Sequence, residues 1–276
     1  MKKIIVAVAL FVMGSIVHSD SFNMAEVLTS KLAKEIKNQL SSKAREAYTD
    51  YVETPPVQNA IKRKEGVRRL QFPIDHEILF SEQNCNKVIH DPVFDACYLY
   101  DEKISLMVGY ELESELLKSG YVDRNKNNLT FFEDQRIPRQ YRAHPYDYSR
   151  QNLDRGHSRP HASTAWDAKL AQNTYSMVNV WGQTPKLNRQ AWLKAERFER
   201  QIAHRIGKVK VLNIADINGA KRRVGKNNVL VPVGFYKIVY NQEKDYQRCF
   251  YYENTNDYTK KDTLKSHLID CEKVYY

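Results

Sequence analysis

No two cysteines in this chain are spaced as C-x-x-C, and only four cysteines, Cys85, Cys97, Cys249 and Cys271, stand among its 276 residues. That pattern argues against a compact thiolate zinc site or a dithiol redox motif. Beyond the first seventeen residues no apolar run is long enough to cross a bilayer, so the body of the chain offers no membrane-spanning helix. Internal repeats and low-complexity tracts are both missing, which removes the solenoid and the disordered spacer from consideration. Acidic residues are in deficit, 33 against 43 basic ones, for a formal net charge of +10.

What is present begins with a leader. Lys2 and Lys3 precede an apolar run from Ile4 to Val17, and Val17 and Ser19 are the small residues a signal peptidase reads. The sequence predicts a secretory signal peptide over 1–19, cut before Asp20, rather than an uncleaved anchor. The mature chain is then expected in the periplasm or outside the cell, with no stable membrane association. In such an oxidising compartment an even number of widely spaced cysteines reads as disulfides. Three pairings are open; Cys85 with Cys97 and Cys249 with Cys271 close the local loops and are preferred. Without Lys2 and Lys3 the formal charge is still +8, which favours a polyanionic partner because each neutralised phosphate releases counterions. Roughly 255 residues remain, enough for one sizeable core with an appended element.

The appended element is expected over 20–57. Met24, Leu28, Leu32, Ile36, Leu40, Ala44, Ala47 and Tyr51 recur three or four residues apart, an amphipathic helix that stops before Pro55 and Pro56. Its polar face mixes both charge signs, which favours packing on protein over lying on a membrane. A basic linker follows over 58–70, and the main domain over 71–276. There, β-rich segments at 96–100, 104–112, 208–217, 229–240 and 248–252 are interrupted by helical patterns at 164–174 and 190–206. Strands and helices without regular alternation indicate an α+β fold rather than a doubly wound sheet. The charged, tyrosine-rich tail over 254–276 is expected to be tied back through Cys271.

Two segments carry the chemistry. The first, 153–161, holds Asp154, Arg155, Gly156 and His157; the second, 179–196, holds Asn179, Asn188, Trp192 and Glu196. Hydrolysis of a phosphodiester needs a base to activate water, a cation to neutralise developing charge, and groups that hold the phosphate in line. His157 can be the base. Gly156 is expected to make a sharp bend that aims the imidazole, with Asp154 and Arg155 beside it to buttress the loop or meet substrate. Asn188 offers a hard amide oxygen to Mg²⁺, and Mn²⁺ shares that chemistry. Glu196 lies eight residues on, two helical turns along, where it can hold metal-bound waters. Each residue also has a plain structural reading: an ion-paired turn for 154–157, a helix cap for Asn188, a turn residue for Asn179, a solvated position for Glu196, a surface or packing role for His161. The order of the set along the chain favours the site.

Asp154-Arg155-Gly156-His157, Asn179, the run from Gln183 to Trp192 and Glu196, with 132–134, 141–148 and 231–237 around them, resemble the DNA/RNA non-specific endonuclease family of ββα-metal nucleases. The resemblance covers roughly residues 107–240. It implies a central, mainly antiparallel sheet with flanking helices, here with an N-terminal helix added, and a Mg²⁺-dependent nuclease acting on DNA and RNA to leave 5′-phosphate ends. It further implies His157 as general base, Asn188 as the direct protein ligand of the metal, Glu196 acting through metal waters, and Asn179 in support. An upstream arginine contacts the phosphate; Arg124 is the best match, with Arg136 and Arg142 as substitutes. The chain departs from the pattern at Ser158-Arg159-Pro160-His161, where Arg159 either adds phosphate contact or crowds the rim. The competing reading is a secreted nucleic-acid-binding or adhesive protein without turnover. Monomer and homodimer are both open.

Overall fold

The computed structural model describes residues 67–276; the expected leader, the amphipathic helix and the linker up to residue 66 lie outside the described residues. The elements in chain order are α1 (His76–Leu79), β1 (Lys87–His90), β2 (Asp95–Leu99), β3 (Ile104–Glu113), α2 (Ser114–Lys118), β4 (Asp154–His157), α3 (Ala168–Asn173), β5 (Val180–Gln183), α4 (Leu193–Ile206), β6 (Lys208–Asp216), β7 (Arg223–Val224), β8 (Val229–Leu230), β9 (Gly234–Asn241), β10 (Tyr246–Glu253) and β11 (Leu268–Ile269). Seven strands form an antiparallel sheet in the order β1-β2-β3-β6-β9-β10-β11, and β4 with β5 makes a separate two-stranded ribbon. This is the α+β architecture that the irregular succession of strand and helix patterns predicts.

Central strands are buried because both faces of the sheet are covered. Along β6, Val209, Val211 and Ala215 join one apolar cluster and Leu212 and Ile214 another, the period-2 consequence of a pleated strand. The first cluster lies between the sheet, the ribbon and α4. The second, on the opposite face, contains Leu70, Phe80, Ile238 and Val274 together with Cys85, Cys97 and Cys249. Cys85 is bonded to Cys97 and Cys249 to Cys271, the two local closures.

Helix α4 buries Ala195, Glu199, Ile202 and Ala203, positions three or four apart on one stripe. It stops at Gly207, whose φ of 91° lies in the left-handed region where a side chain is strained and whose N–H bonds the Ala203 carbonyl at 2.8 Å. Its first turn is unusual: Leu187–Trp192 is π-helical and runs directly into it.

Several expected boundaries move. The single strand expected over 229–240 divides into β8 and β9, since Pro232 has no N–H for a ladder and its carbonyl instead accepts from the Asn254 side chain. Helix α3 starts at Ala168, four residues later than the pattern, where the Asp167 carboxylate accepts the Leu170 N–H at 2.8 Å. Residues 68–70, read as the end of a linker, already pair with the C-terminus: Arg68 N–H bonds Tyr276 O and Leu70 N–H bonds Val274 O, each at 2.9 Å.

Candidate active site

The Asp-Arg-Gly-His run is a strand, which corrects the sharp bend expected at Gly156. Asp154 pairs with Gln183, Gly156 with Trp181 and His157 with Val180. Glycine is needed there for close approach: a Cβ on Gly156 would stand 2.1 Å from Gln183 Oε1. Alternation along the strand then sends Arg155 and His157 to one side of the ribbon and Asp154 to the other.

On the Asp154 side the carboxylate accepts from Asn188 Nδ2 at 2.9 Å and from Arg189 Nε and Nη2 at 2.8 and 2.7 Å. Asp154 therefore orients Asn188 by its amide nitrogen, and the amide oxygen accepts no hydrogen bond among the described residues. At the other end of the strand Trp192 Nε1 donates to the His157 carbonyl at 3.3 Å. The π turn thus lies along the ribbon, touching its first residue through Asn188 and its last through Trp192. A π turn takes in one extra residue, so eight steps from Asn188 to Glu196 advance about as seven α steps would, roughly 20° from two full turns instead of roughly 80°. By this count Glu196 falls on the same side of the helix as Asn188.

Glu196 accepts no hydrogen bond among the described residues. Burial, reinforced by the neighbouring Glu199 carboxylate, pushes its pKa up to about 8, against the opposing pull of Lys237, Arg200 and Arg197. A carboxyl group without a partner and an amide oxygen held free suit a hard divalent cation that keeps most of its water. Among the described residues no three His, Cys, Asp or Glu side chains gather around a point; an amide oxygen and a carboxyl are the hard oxygen donors that a cation of the Mg²⁺ type accepts.

On the other side, the imidazole of His157 packs between Phe131, ring centroids 5.0 Å apart, and Tyr175, 4.9 Å and edge-on. Its Nε2 is buried without a hydrogen-bond partner. Burial, with the positive charges of Arg124, His161 and Arg155 nearby, pushes its pKa down to about 3. The ring is accordingly neutral, with a free nitrogen lone pair, near pH 7. Arg155 lies over the Phe131 ring at 4.7 Å, and Arg124 over Tyr175 at 5.0 Å and Phe131 at 5.4 Å. Both guanidinium groups line a pocket of about 360 Å³ next to His157. Of the three candidate arginines, only Arg124 faces that space with its charge uncompensated by a carboxylate. Arg136 is paired with Asp134 and Asp91, and Arg142 is spent on the carbonyls of Ile137 and Gln135.

Asn179 is fully buried and clamps backbone. Its Oδ1 accepts from Arg159 N–H at 2.8 Å, while Nδ2 donates to the carbonyls of Arg159 and Thr174 at 2.9 and 2.8 Å. It holds the chain just after His157 and has no group left for substrate. His161 packs, with Nε2 against the Val122 carbonyl at 2.9 Å. Arg159 sits neither on a phosphate path nor at a rim: it is buried, bonds Thr164 Oγ1 and the Val93 and Ser163 carbonyls, and lies over Tyr110 at 5.1 Å.

The support beneath α4 was hidden in the sequence. Lys237 Nζ and Glu199 Oε2 are 2.5 Å apart with both side chains wholly buried. Tyr110 and Ser163 hydroxyls donate to the same carboxylate at 2.9 Å each, and the Lys237 ammonium lies 4.6 Å over the Trp192 ring. The only signal was a glutamate three and four residues from Ile202 and Ala203 on the apolar stripe.

A ribbon leading into a helix that carries an amide oxygen and a carboxyl on one face defines a ββα-metal nuclease fold. The chain belongs to the DNA/RNA non-specific endonuclease family, whose model matches residues 77–274. It is 30% identical over 153 residues to mitochondrial endonuclease G of Bos taurus, covering 52% of this chain and 50% of that one. It is 28% identical over 210 residues to the mitochondrial nuclease of Saccharomyces cerevisiae, covering 69% and 62%. The chain thus spans about half the length of the endonuclease G relatives it matches. A crystal structure of the EndoG/EndoGI complex aligns with a TM-score of 0.60 and 22% identity, over 66% of this chain and 80% of that one, a likeness of fold.

Proposed function

We propose that this protein is an exported, Mg²⁺-dependent, sugar-non-specific endonuclease that hydrolyses DNA and RNA to 5′-phosphate ends. Family membership supports the reaction class, and the two disulfides among the described residues suit an oxidising compartment. The observation that carries the mechanism is the single ribbon-helix unit with a neutral imidazole on one side and an oriented amide oxygen on the other.

In this reading Arg124 and Arg155 receive the phosphate in the pocket beside Phe131. Their charges are then partly neutralised, which raises the proton affinity of His157 from its depressed value and lets the imidazole take a proton from the attacking water. Phe131 and Tyr175 keep the ring from turning away. Asn188, aimed by Asp154, would hold Mg²⁺ directly and Glu196 would hold it through its bound waters; the ion supplies positive charge to the leaving oxygen when bound. Asn179 acts only by fixing the backbone behind His157.

The test is plasmid digestion with Mg²⁺ by the full chain and by H157A and N188A. Loss of a general base costs about 10²–10⁴-fold, so H157A should be nearly inactive, and N188A should be nearly inactive through loss of its hold on the metal. Circular dichroism of both should keep the wild-type fold, with some melting-temperature loss in H157A because the ring packs between Phe131 and Tyr175. Undiminished cutting by H157A would remove the imidazole from the mechanism. Gel retardation of plasmid without cutting in wild type, with metal present, would favour the binding-protein alternative.

A further inference from the structure

The pocket that holds Arg124 and Arg155 has a second half that the reaction leaves unused. It is lined by Glu133, His144 and Tyr146. Tyr146 is 77% exposed, and its ring stacks on His144 with centroids 5.0 Å apart and planes 20° from parallel. The pair is held in place from behind. His144 Nδ1 accepts the Tyr146 N–H at 3.1 Å and the Asp147 carboxylate accepts the His144 N–H at 2.7 Å, a reciprocal cap on a short 3₁₀ turn that starts with Pro145. Asp147 is buried and takes a further bond from Asn227 Nδ2 at 2.9 Å.

Charge divides this pocket. Two guanidinium groups lie on the side of His157, and a carboxylate, Glu133, stands 3.8 Å from His144 Nε2 on the other. A phosphate is attracted to the first half and repelled from the second. An extended strand that sets a phosphate at Arg124 and Arg155 must place its next neutral part, a sugar and base, against the aromatic pair. In a duplex each base face is covered by the neighbouring base pair, whereas in a single strand it is open to stack on an exposed aromatic ring.

We propose that Tyr146, backed by His144, is a stacking platform for the unpaired base of the nucleotide next to the scissile phosphate, making it a specificity-determining residue that favours single-stranded or locally opened nucleic acid. This deepens the nuclease reading and rests on it.

The experiment uses the full chain in EDTA, so that nothing is cut, and fluorescence anisotropy with two probes of equal charge: a short labelled single-stranded oligothymidylate, and the same strand with every base replaced by an abasic tetrahydrofuran unit. Wild type should bind the base-bearing probe more tightly, and Y146A should lose roughly 5- to 150-fold on that probe alone. Y146W should retain the preference, and the slope of affinity against salt should be the same in all three proteins because no phosphate contact has changed. Equal weakening of Y146A on both probes, or unchanged affinity on both, overturns the platform. Plasmid digestion by wild type with Mg²⁺ is run alongside: cutting without base preference sinks the platform only, whereas no cutting sinks the nuclease reading while the anisotropy still reports on Tyr146.

Discussion

The two faces of the seven-stranded sheet are made by the same strands, yet they are stabilised in different ways. The face toward α4 buries charge: Lys237, Glu199 and Arg159 are inside beside the neutral amide of Asn213, tied to Tyr110 and Ser158. The opposite face is apolar, with Leu106, Met107, Leu212 and Ile238, and carries both disulfides. Buried ion pairs contribute little net stability compared with apolar packing, because desolvation offsets most of their attraction. The difference therefore points to a division of labour. One face clamps the domain, and the other positions Trp192, Glu196 and the strand that ends in His157.

If that division holds, the largest stability loss comes from half of the buried pair. E199A leaves the Lys237 ammonium unpaired in the interior and should cost about 3–5 kcal/mol in chemical unfolding, with plasmid cutting lost in step; a cost under about 1 kcal/mol would mean the network is not what holds α4 to the sheet. Replacing Cys249 and Cys271 together by serine should cost about 2–4 kcal/mol while leaving the rate of cutting at low temperature near wild type. A fall in that rate would show that the clamping face reaches the site after all. D154A acts on neither face as a whole but frees Asn188 to rotate, and should weaken apparent Mg²⁺ affinity in activity titrations by about 10–100-fold without moving the melting temperature much.

A further effect concerns acid. The folded pKa of His157, about 3, lies below its ordinary value near 6.5. Between those values the unfolded chain binds the proton and the folded one does not, so this group's contribution to stability rises with pH through the window and is lost as pH falls through it. H157Q, which cannot titrate, should lose less unfolding free energy than wild type between pH 7 and pH 4. An identical acid profile would mean the imidazole is not held neutral by its surroundings.

Legibility in the sequence divides along a similar line. Strands showed themselves through alternation at 104–112 and β-rich composition at 208–217, and the sequence set Asn188 just ahead of the helix that carries Glu196. Asp154 to His157 reads as a bend because glycine permits one; only the facing Gln183 side chain reveals that a missing Cβ, not a turn, is the requirement. The aromatic shell of His157 brings together residues 131, 157 and 175, contacts between segments that no local pattern announces. Glu199, Lys237 and Arg159 look like solvated charges in the sequence, since burial of an ion is decided by partners on other elements.

The wide turn over Leu187–Trp192 bears on how such chains should be compared. Because it absorbs one residue without rotating the rest of the helix, a protein with one residue fewer between the amide and the carboxyl, and an unbroken α-helix, would present both groups in the same alignment. Two chains that differ by a single-residue gap at this place are geometric equivalents, and a rigid-length pattern drawn from either would overlook the other.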